Sequence, residues 1–414
     1  MIMKKTVILA GAAMATLGAE AQGVAHFEQI NDTTHVYRTM RENAPNIEHV
    51  NDVPRFGFIG KDHKFYVGLG ANLKFVGDYD FGHPLSDANR FNPGKIPMSI
   101  EPGNGGQFAF SAAQSNFYLN FVALPGTGNQ LGIYIDVNFM GDNHAPAMHH
   151  AYLKYRGITA GHTTSIFTDK GAEPASIDYY GPNAITFVGH PNISYTQKFG
   201  KDKRWSAAVG LDLPENSYTV NSSTKTVSQR VPDIPVYIQR SWADGKGWFR
   251  ASAIFRTLTY RDLVADKNEN AFGWGIKASG RTPIAGGLSA MWQGVYGKGV
   301  SSYIQGLSGF GMDLTPAEQQ GHLDAVKAWG AYGTLRYDFS RKVYMNATYS
   351  QVRTYAQNYT GDTYRYSQYL TANLFWNINK FTQFGVEYLY GRRVNYDGMQ
   401  AHDNRLSLML QVSI

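Results

Sequence analysis

Apolar and polar residues alternate along most of the chain. In residues 404–414, Leu406, Leu408, Leu410, Val412 and Ile414 share one face of a period-2 strand. Arg405, Ser407, Gln411 and Ser413 take the other, with Met409 the one exception. One face is oily, the other wet, and the oily one runs to the final residue. A sandwich could bury such a face. A lipid-facing strand that closes on the first strand of its own sheet explains it better, because closure leaves no open edge. The alternation starts at His63, where Phe65, Val67, Leu69, Ala71, Leu73 and Phe75 oppose Lys64, Tyr66, Gly68, Gly70, Asn72 and Lys74. It is clearest at 131–139 and recurs near 117–121, 249–255, 329–337, 343–349, 370–376 and 384–390. Aromatics gather at the ends of these runs, as interfacial girdles require.

Connections alternate in length. Short turns rich in Gly, Pro, Asp, Asn or Lys fall at 125–129, 155–157, 200–203, 243–247, 282–286, 340–342 and 379–381. Longer loops fall at 81–106, 143–146, 166–186, 216–231, 264–268, 305–325, 358–362 and 396–401. The pattern predicts a transmembrane antiparallel β-barrel of about 16 strands, with roughly 22 residues for each strand and its connection. Weak alternation at 187–199, 232–241 and 270–281 leaves fourteen or eighteen strands open. The third long loop is expected to fold inward as a constriction, with Ser165, Asp169, Asp178 and Tyr179 as its candidate filter residues.

Composition agrees. The 27 Tyr, 23 Phe, 7 Trp and 44 Gly suit sheets with tight turns rather than helix bundles, and the absence of Cys excludes a disulfide framework and thiol catalysis. A mean hydropathy of −0.33 would read as soluble, but a barrel whose alternate residues face water gives the same value. Lys4 and Lys5 precede an apolar run over 7–17, and Ala19-Glu20-Ala21 has the form of a cleavage site, so 1–21 reads as a signal peptide. Residues 22–62 read as a periplasmic or lumen-facing extension with a short helix around 35–42, and 63–414 as the barrel. No later run approaches the 18 apolar residues of a membrane helix. The formal charge of +6 is spread out, with no basic block of the kind that binds nucleic acid.

Alternation assigns Arg250, Arg256, Arg336, Glu387, Arg393 and Arg405 to the lumen side. Guanidinium groups bind carboxylates bidentately, so such a set could form an anion-selective ladder; it could equally cross-link the wall through ion pairs. Other chemistry is weak. His149 and His150, with His144 and His162, suggest a metal site, but neighbours on a regular strand point to opposite faces, so no metal or cofactor is expected. There is no Gly-x-Ser-x-Gly, and Gly68-Leu69-Gly70 and Gly103-Asn104-Gly105-Gly106 lack the strand-to-helix context of a phosphate loop.

The run Gly161-His162-Thr163-Thr164-Ser165-Ile166-Phe167-Thr168-Asp169, followed by Asp178 and Gly181-Pro182-Asn183, resembles a segment of DcaP-like outer-membrane porins. So do Pro232-Asp233-Ile234, Tyr296–Ile304, Gly385-Val386-Glu387-Tyr388 with Gly391-Arg392-Arg393, and Asn404-Arg405-Leu406; together they cover roughly 105–414. The resemblance implies a homotrimeric sixteen-stranded porin of the Gram-negative outer membrane, passing small anionic or dicarboxylate solutes. His190 and Ser194 stand where the family tends to carry lumen arginines, 22–62 shows no coiled coil, and the last residue is Ile414 rather than Phe. The expected function is passive diffusion, with outer-membrane lipid and small solutes as partners. A lipase-like barrel enzyme or a secreted soluble β-rich binding protein are the alternatives.

Overall fold

The computed structural model describes residues 34–45, 56–60, 63–85 and 87–414. The expected signal peptide at 1–21 and much of the extension at 22–62 lie outside the described residues. A helix, α1 (Thr34–Asn43), and a four-residue strand, β1 (Phe56–Ile59), come first. The sheet then runs through β2 (Phe65–Asp80), β3 (Gln107–Ser111), β4 (Asn116–Ala123), β5 (Leu131–Asn138), β6 (Ala147–Tyr155), β7 (Ile158–Thr164), β8 (Gly189–Phe199) and β9 (Trp205–Asp212). It continues with β10 (Thr224–Thr226), β11 (Ile234–Trp242), β12 (Gly247–Asp262), β13 (Lys267–Ala285) and β14 (Leu288–Lys298). After a small loop hairpin of β15 (Leu314–Pro316) and β16 (Leu323–Ala325) come β17 (Lys327–Asp338), β18 (Val343–Tyr355), β19 (Tyr364–Asn377), β20 (Thr382–Asn395) and β21 (Gln400–Ser413).

Each strand pairs antiparallel with its neighbours, and β21 returns to β2 with Ser413 opposite Asn72 and Arg405 opposite Asp80. The barrel is closed. β3 and β4 form one stave against β2, so sixteen staves circle the lumen. The seven short turns lie at one end and the eight longer loops at the other, which gives the periplasmic and extracellular ends of such barrels. The segments whose alternation is weak become the full strands β8, β11 and β13, held by two neighbours each, and this fixes the count. β1 is too short to show a period. It pairs with β2 from Phe56 opposite Leu69 to Ile59 opposite Tyr66, taking up the β2 edge just beyond the bonds between Ala71 and Ile414 that follow β21.

The outward face is apolar and uncovered. Leu73 and Phe110 are 60% and 62% exposed, and Leu406, Leu408 and Leu410 follow on the closing strand. A continuous band of this kind is untenable in water and needs hydrocarbon as its partner. Aromatic pairs mark its rims, among them Phe199 with Trp205 and Tyr337 with Phe339. No helix among the described residues is long and apolar enough to cross a membrane, so the strands do the crossing.

The test of the lipid-facing side is Leu408→Arg. It should destabilise the barrel in bilayers by about 2–4 kcal/mol if Leu408 lies near the midplane, measured by urea unfolding in vesicles. No loss would show that the band is covered by protein.

Candidate functional site: the lumen and its constriction loop

The third long loop, 165–188, leaves β7 and crosses the barrel. Ser165 Oγ starts it by donating to Asp212 Oδ2 at 2.5 Å, and the Phe167 amide donates back to Ser165 Oγ. Asp169 Oδ2 accepts from Trp248 Nε1 (3.0 Å) on β12 and Ser279 Oγ (2.7 Å) on β13. Farther along, Tyr332 on β17 donates to the Ala172 carbonyl, and Asn346 on β18 and Asn373 on β19 donate to that of Ala175. At the far wall Glu387 on β20 is fully buried and accepts from Ser176 Oγ, the Ile177 and Asp178 amides (3.2 and 2.9 Å) and Asn373 Nδ2 (2.7 Å). One carboxylate thus satisfies a turn of backbone that has no strand to bond to.

Asp178 itself closes the tip. It accepts from the amides of Phe91, Tyr180 and Gly181, at 2.9, 3.0 and 3.1 Å. Burial, reinforced by the nearby Glu387 charge, pushes its carboxyl up to about 7 against the pull of those amides. Tyr179 receives a hydrogen bond from Asn138 Nδ2 on β5 (3.2 Å), lies near Arg90, and sends its amide to the Asn89 carbonyl. The four loop residues singled out by sequence therefore all serve to seat the loop.

Other loops are tied down by buried charge. Arg405 makes a two-pronged pair with Asp80 (2.6 and 2.9 Å), and its Nη1 donates to the Ala88 carbonyl of the first loop. That loop packs Phe91 and Ile96 against β20 at Gly391, where a Cβ would sit 2.7 Å from Phe91. Arg256 is buried with its guanidinium against Asp233 (2.9 Å) and Asp313 (3.2 Å); it also donates to the carbonyls of Gly299 and Glu215. Tyr303 donates to Asp233 Oδ2 as well, at 3.0 Å. Arg256 thus clamps the fourth and sixth loops to the wall. Its side is the one alternation assigns, but loops that alternation does not see cover it.

The turn end of the lumen is narrowed by α1. Val36 and Met40 pack on the inward Tyr66, while Ala44, just past the helix, packs on Tyr118, Tyr134 and Tyr152. Asn43 Nδ2 donates to Asn120 Oδ1 (2.7 Å) and the Ile133 carbonyl (3.1 Å), and Asn120 Nδ2 donates to the Met40 carbonyl. Lys154 Nζ and Tyr152 OH meet the carbonyls at the helix C-terminus, where a cation is favoured. Gly132 leaves the space: a Cβ there would lie 1.9 Å from Asn43 Oδ1.

Three predicted arginines keep some access to the lumen. Arg250 is 16% exposed, stacked over Tyr237, and bonded to Gln239 Oε1 (2.8 Å) and the Thr168 carbonyl (3.0 Å). Arg336 is 15% exposed, over Tyr344 and paired with Asp338. Arg393 bonds Asn395 Oδ1 at 3.0 Å beside Tyr364. Arg281, on β13 between the staves of Arg250 and Arg336, joins this set although sequence reasoning missed it. The strand's weak alternation hid that Lys277, Ser279 and Arg281 share the inward face.

A sequence model described as "Porin subfamily" matches residues 112–406. The chain belongs to the porin subfamily. The DcaP outer-membrane channel of Acinetobacter baumannii superposes with a TM-score of 0.73 at 21% identity, over 86% of this chain and 99% of that one. An anion-selective porin from Comamonas acidovorans gives 0.53 at 10%, over 84% and 100%. The trimer form of Vibrio cholerae OmpT gives 0.52 at 10%, over 84% and 99%. No curated protein sequence matches. At these identities the structures support the fold, and the family supplies the rest: a non-enzymatic channel of the Gram-negative outer membrane. In this porin the long loops are extracellular and α1 stands at the periplasmic mouth.

Two outcomes follow from these seats. Asn43→Ala should weaken the hold on α1 by about 1–3 kcal/mol, the cost of unmaking buried hydrogen bonds. Deleting 34–45 should raise single-channel conductance in a planar bilayer; an unchanged value would place α1 clear of the permeation path. For Asp178, a folded value near 7 against an unfolded value near 4 means the folded porin holds the extra proton. Stability should then fall as pH rises between about 4 and 7 and level off above. Relative to Asp178→Asn, the melting temperature in detergent should show that slope; parallel curves would refute it.

Proposed function

We propose that this porin is a passive channel preferring small anionic solutes, dicarboxylates among them, and that it works as a homotrimer. The observation that carries the preference is an asymmetry of exposure. Asp78, Asp80, Asp136, Asp169, Asp178, Asp212, Asp233, Asp313, Glu387 and Asp403 are all buried. They are committed to loop amides, hydroxyls or cations. Arg250, Arg281, Arg336, Arg393 and Lys74 keep partial exposure inside the barrel, while the partly exposed Lys170 is offset by its partner Glu173. A solute crossing the lumen therefore meets mostly positive side chains, in a channel whose walls concentrate the field.

Arg250, Arg281 and Arg336 sit on β12, β13 and β17, near the short-turn ends of those strands. Planar guanidinium groups suit carboxylates. The fold is shared with a porin described as anion-selective, and the trimeric reading leans on OmpT, described in a trimer form. Arg256, Glu387 and Arg405 enter this reading as anchors that keep the loops in place, while Ser165, Asp169, Asp178 and Tyr179 set the constriction's shape.

The decisive experiment is a reversal-potential measurement on the Arg250→Ala, Arg281→Ala and Arg336→Ala variants, singly and together. At about 0.1 M salt, where the screening length is ~10 Å, the triple variant should lose anion preference several-fold. Unchanged potentials would assign these arginines to the wall alone.

A further inference from the structure

His149 and His150 face the same way, against the expectation for neighbours on a regular strand. The β5–β6 ladder slips at this point. Asp136 pairs with His150 and Val137 with Met148, so His149 is the extra residue of a bulge. Both rings stand on the lumen side with their centroids 4.3 Å apart. His149 Nδ1 lies 2.9 Å from Asp136 Oδ2, and Asp136 Oδ1 accepts from Asn116 Nδ2 at 2.7 Å. His150 is 1% exposed; its Nδ1 meets Thr163 Oγ1 at 3.0 Å, and its Nε2 is buried with no partner.

We propose that Asp136, His149 and His150 form a binding site for a divalent first-row transition metal in the lumen wall. It is the one group among the described residues in which three such side chains bring ligand-type atoms within 4.8 Å of one another. Two imidazoles and a carboxylate suit Zn²⁺ and its neighbours rather than Ca²⁺ or Mg²⁺. The outer partners are already in place. Thr163 fixes the His150 ring through its other nitrogen, and Asn116 fixes the carboxylate, as around metal ligands generally.

Little movement is needed at the His149–Asp136 edge. Two ligands of a tetrahedral Zn²⁺ with bonds of ~2.0–2.1 Å lie roughly 3.3 Å apart. The ion takes the place of hydrogen at His149 Nδ1, the neutral ring then carrying its one proton on Nε2, and a tilt of His150 that keeps its Nδ1 on Thr163 Oγ1 brings its Nε2 in. His149, with 22% of its side chain accessible, gives the entry path and room for a water as fourth ligand. The Tyr179 ring of the third loop lies 6.4 Å from that of His149, so the dication adds positive charge beside that loop. That last effect rests on the channel reading; the site itself does not.

The test is calorimetry of Zn²⁺ with tag-free porin in detergent, with Co²⁺ absorption reporting the coordination geometry. One ion per chain should bind. His149→Gln and His150→Gln should each weaken it by more than tenfold, and Thr163→Val, which alters the support of the His150 ring without itself meeting the ion, by about tenfold. His149→Gln alters a partly exposed side chain, so the test survives if His150→Gln does not fold. Binding no tighter than millimolar, or equal binding by His149→Gln and wild type, would overturn the site. In bilayers Zn²⁺ should raise anion preference in wild type and not in His149→Gln. If Zn²⁺ binds but leaves permeability unchanged, the site stands and its link to permeation falls.

Discussion

Everything in this molecule depends on the backbone pairing of β21 with β2. In hydrocarbon an unpaired N–H or C=O costs several kcal/mol, so a spanning sheet must close on itself. The pairing also fixes register: from Arg405 opposite Asp80 to Ser413 opposite Asn72, a slip of one residue would turn Leu406, Leu408 and Leu410 inward and Arg405 into lipid. β1 extends the same logic, supplying partners to residues 66–69 of β2 on the edge that β21 does not reach. The oily face and the closed ladder are two sides of one requirement.

Closure at sixteen staves creates a second requirement. A barrel this wide cannot be filled by wall side chains alone, and the loops that descend into it bring backbone polar groups without strand partners. Buried charge meets that need. Glu387 and Asp178 accept from the amides of the third loop, while Arg405 and Arg256 donate to carbonyls of the first, fourth and sixth. A buried pair that loses one partner leaves an uncompensated charge, typically 3–5 kcal/mol, so these side chains are held to structural work. In the proposed reading, the lumen's character then falls to partly exposed side chains such as Arg250 and Arg336.

The barrel was legible because alternation reports which side of a wall a residue takes. The chain's turns and its eight long loops follow from that period and its interruptions, and the closed sheet bears this out; the inward course of the third loop was expected from its place in the order of a porin's loops, and its bonds to the far wall show it. What alternation cannot report is depth of cover. It places Arg250 and Arg256 on the same face, yet one stays accessible over Tyr237 and the other lies beneath Asp313 and Tyr303. Those partners come from a loop some fifty residues later in the chain, with no periodic signal of its own. Arg281 was missed for the opposite reason: its strand is held by neighbours on both sides rather than by its own pattern.

The departures from period are informative for the same reason that the period is. A strand that keeps strict alternation delivers one side chain to the lumen per two residues, which suits a lining but cannot concentrate donors. The bulge at His149 delivers two in succession opposite Asp136. Gly132, four residues before Asp136 on the same strand, removes a side chain where α1 needs the space for Asn43. β5 and its partners thus carry both a crowded point and a vacated one on a single inward face. Neither helps the sheet, since a bulge breaks the ladder and glycine weakens a strand. The gain must lie in what stands inside the barrel at those two levels.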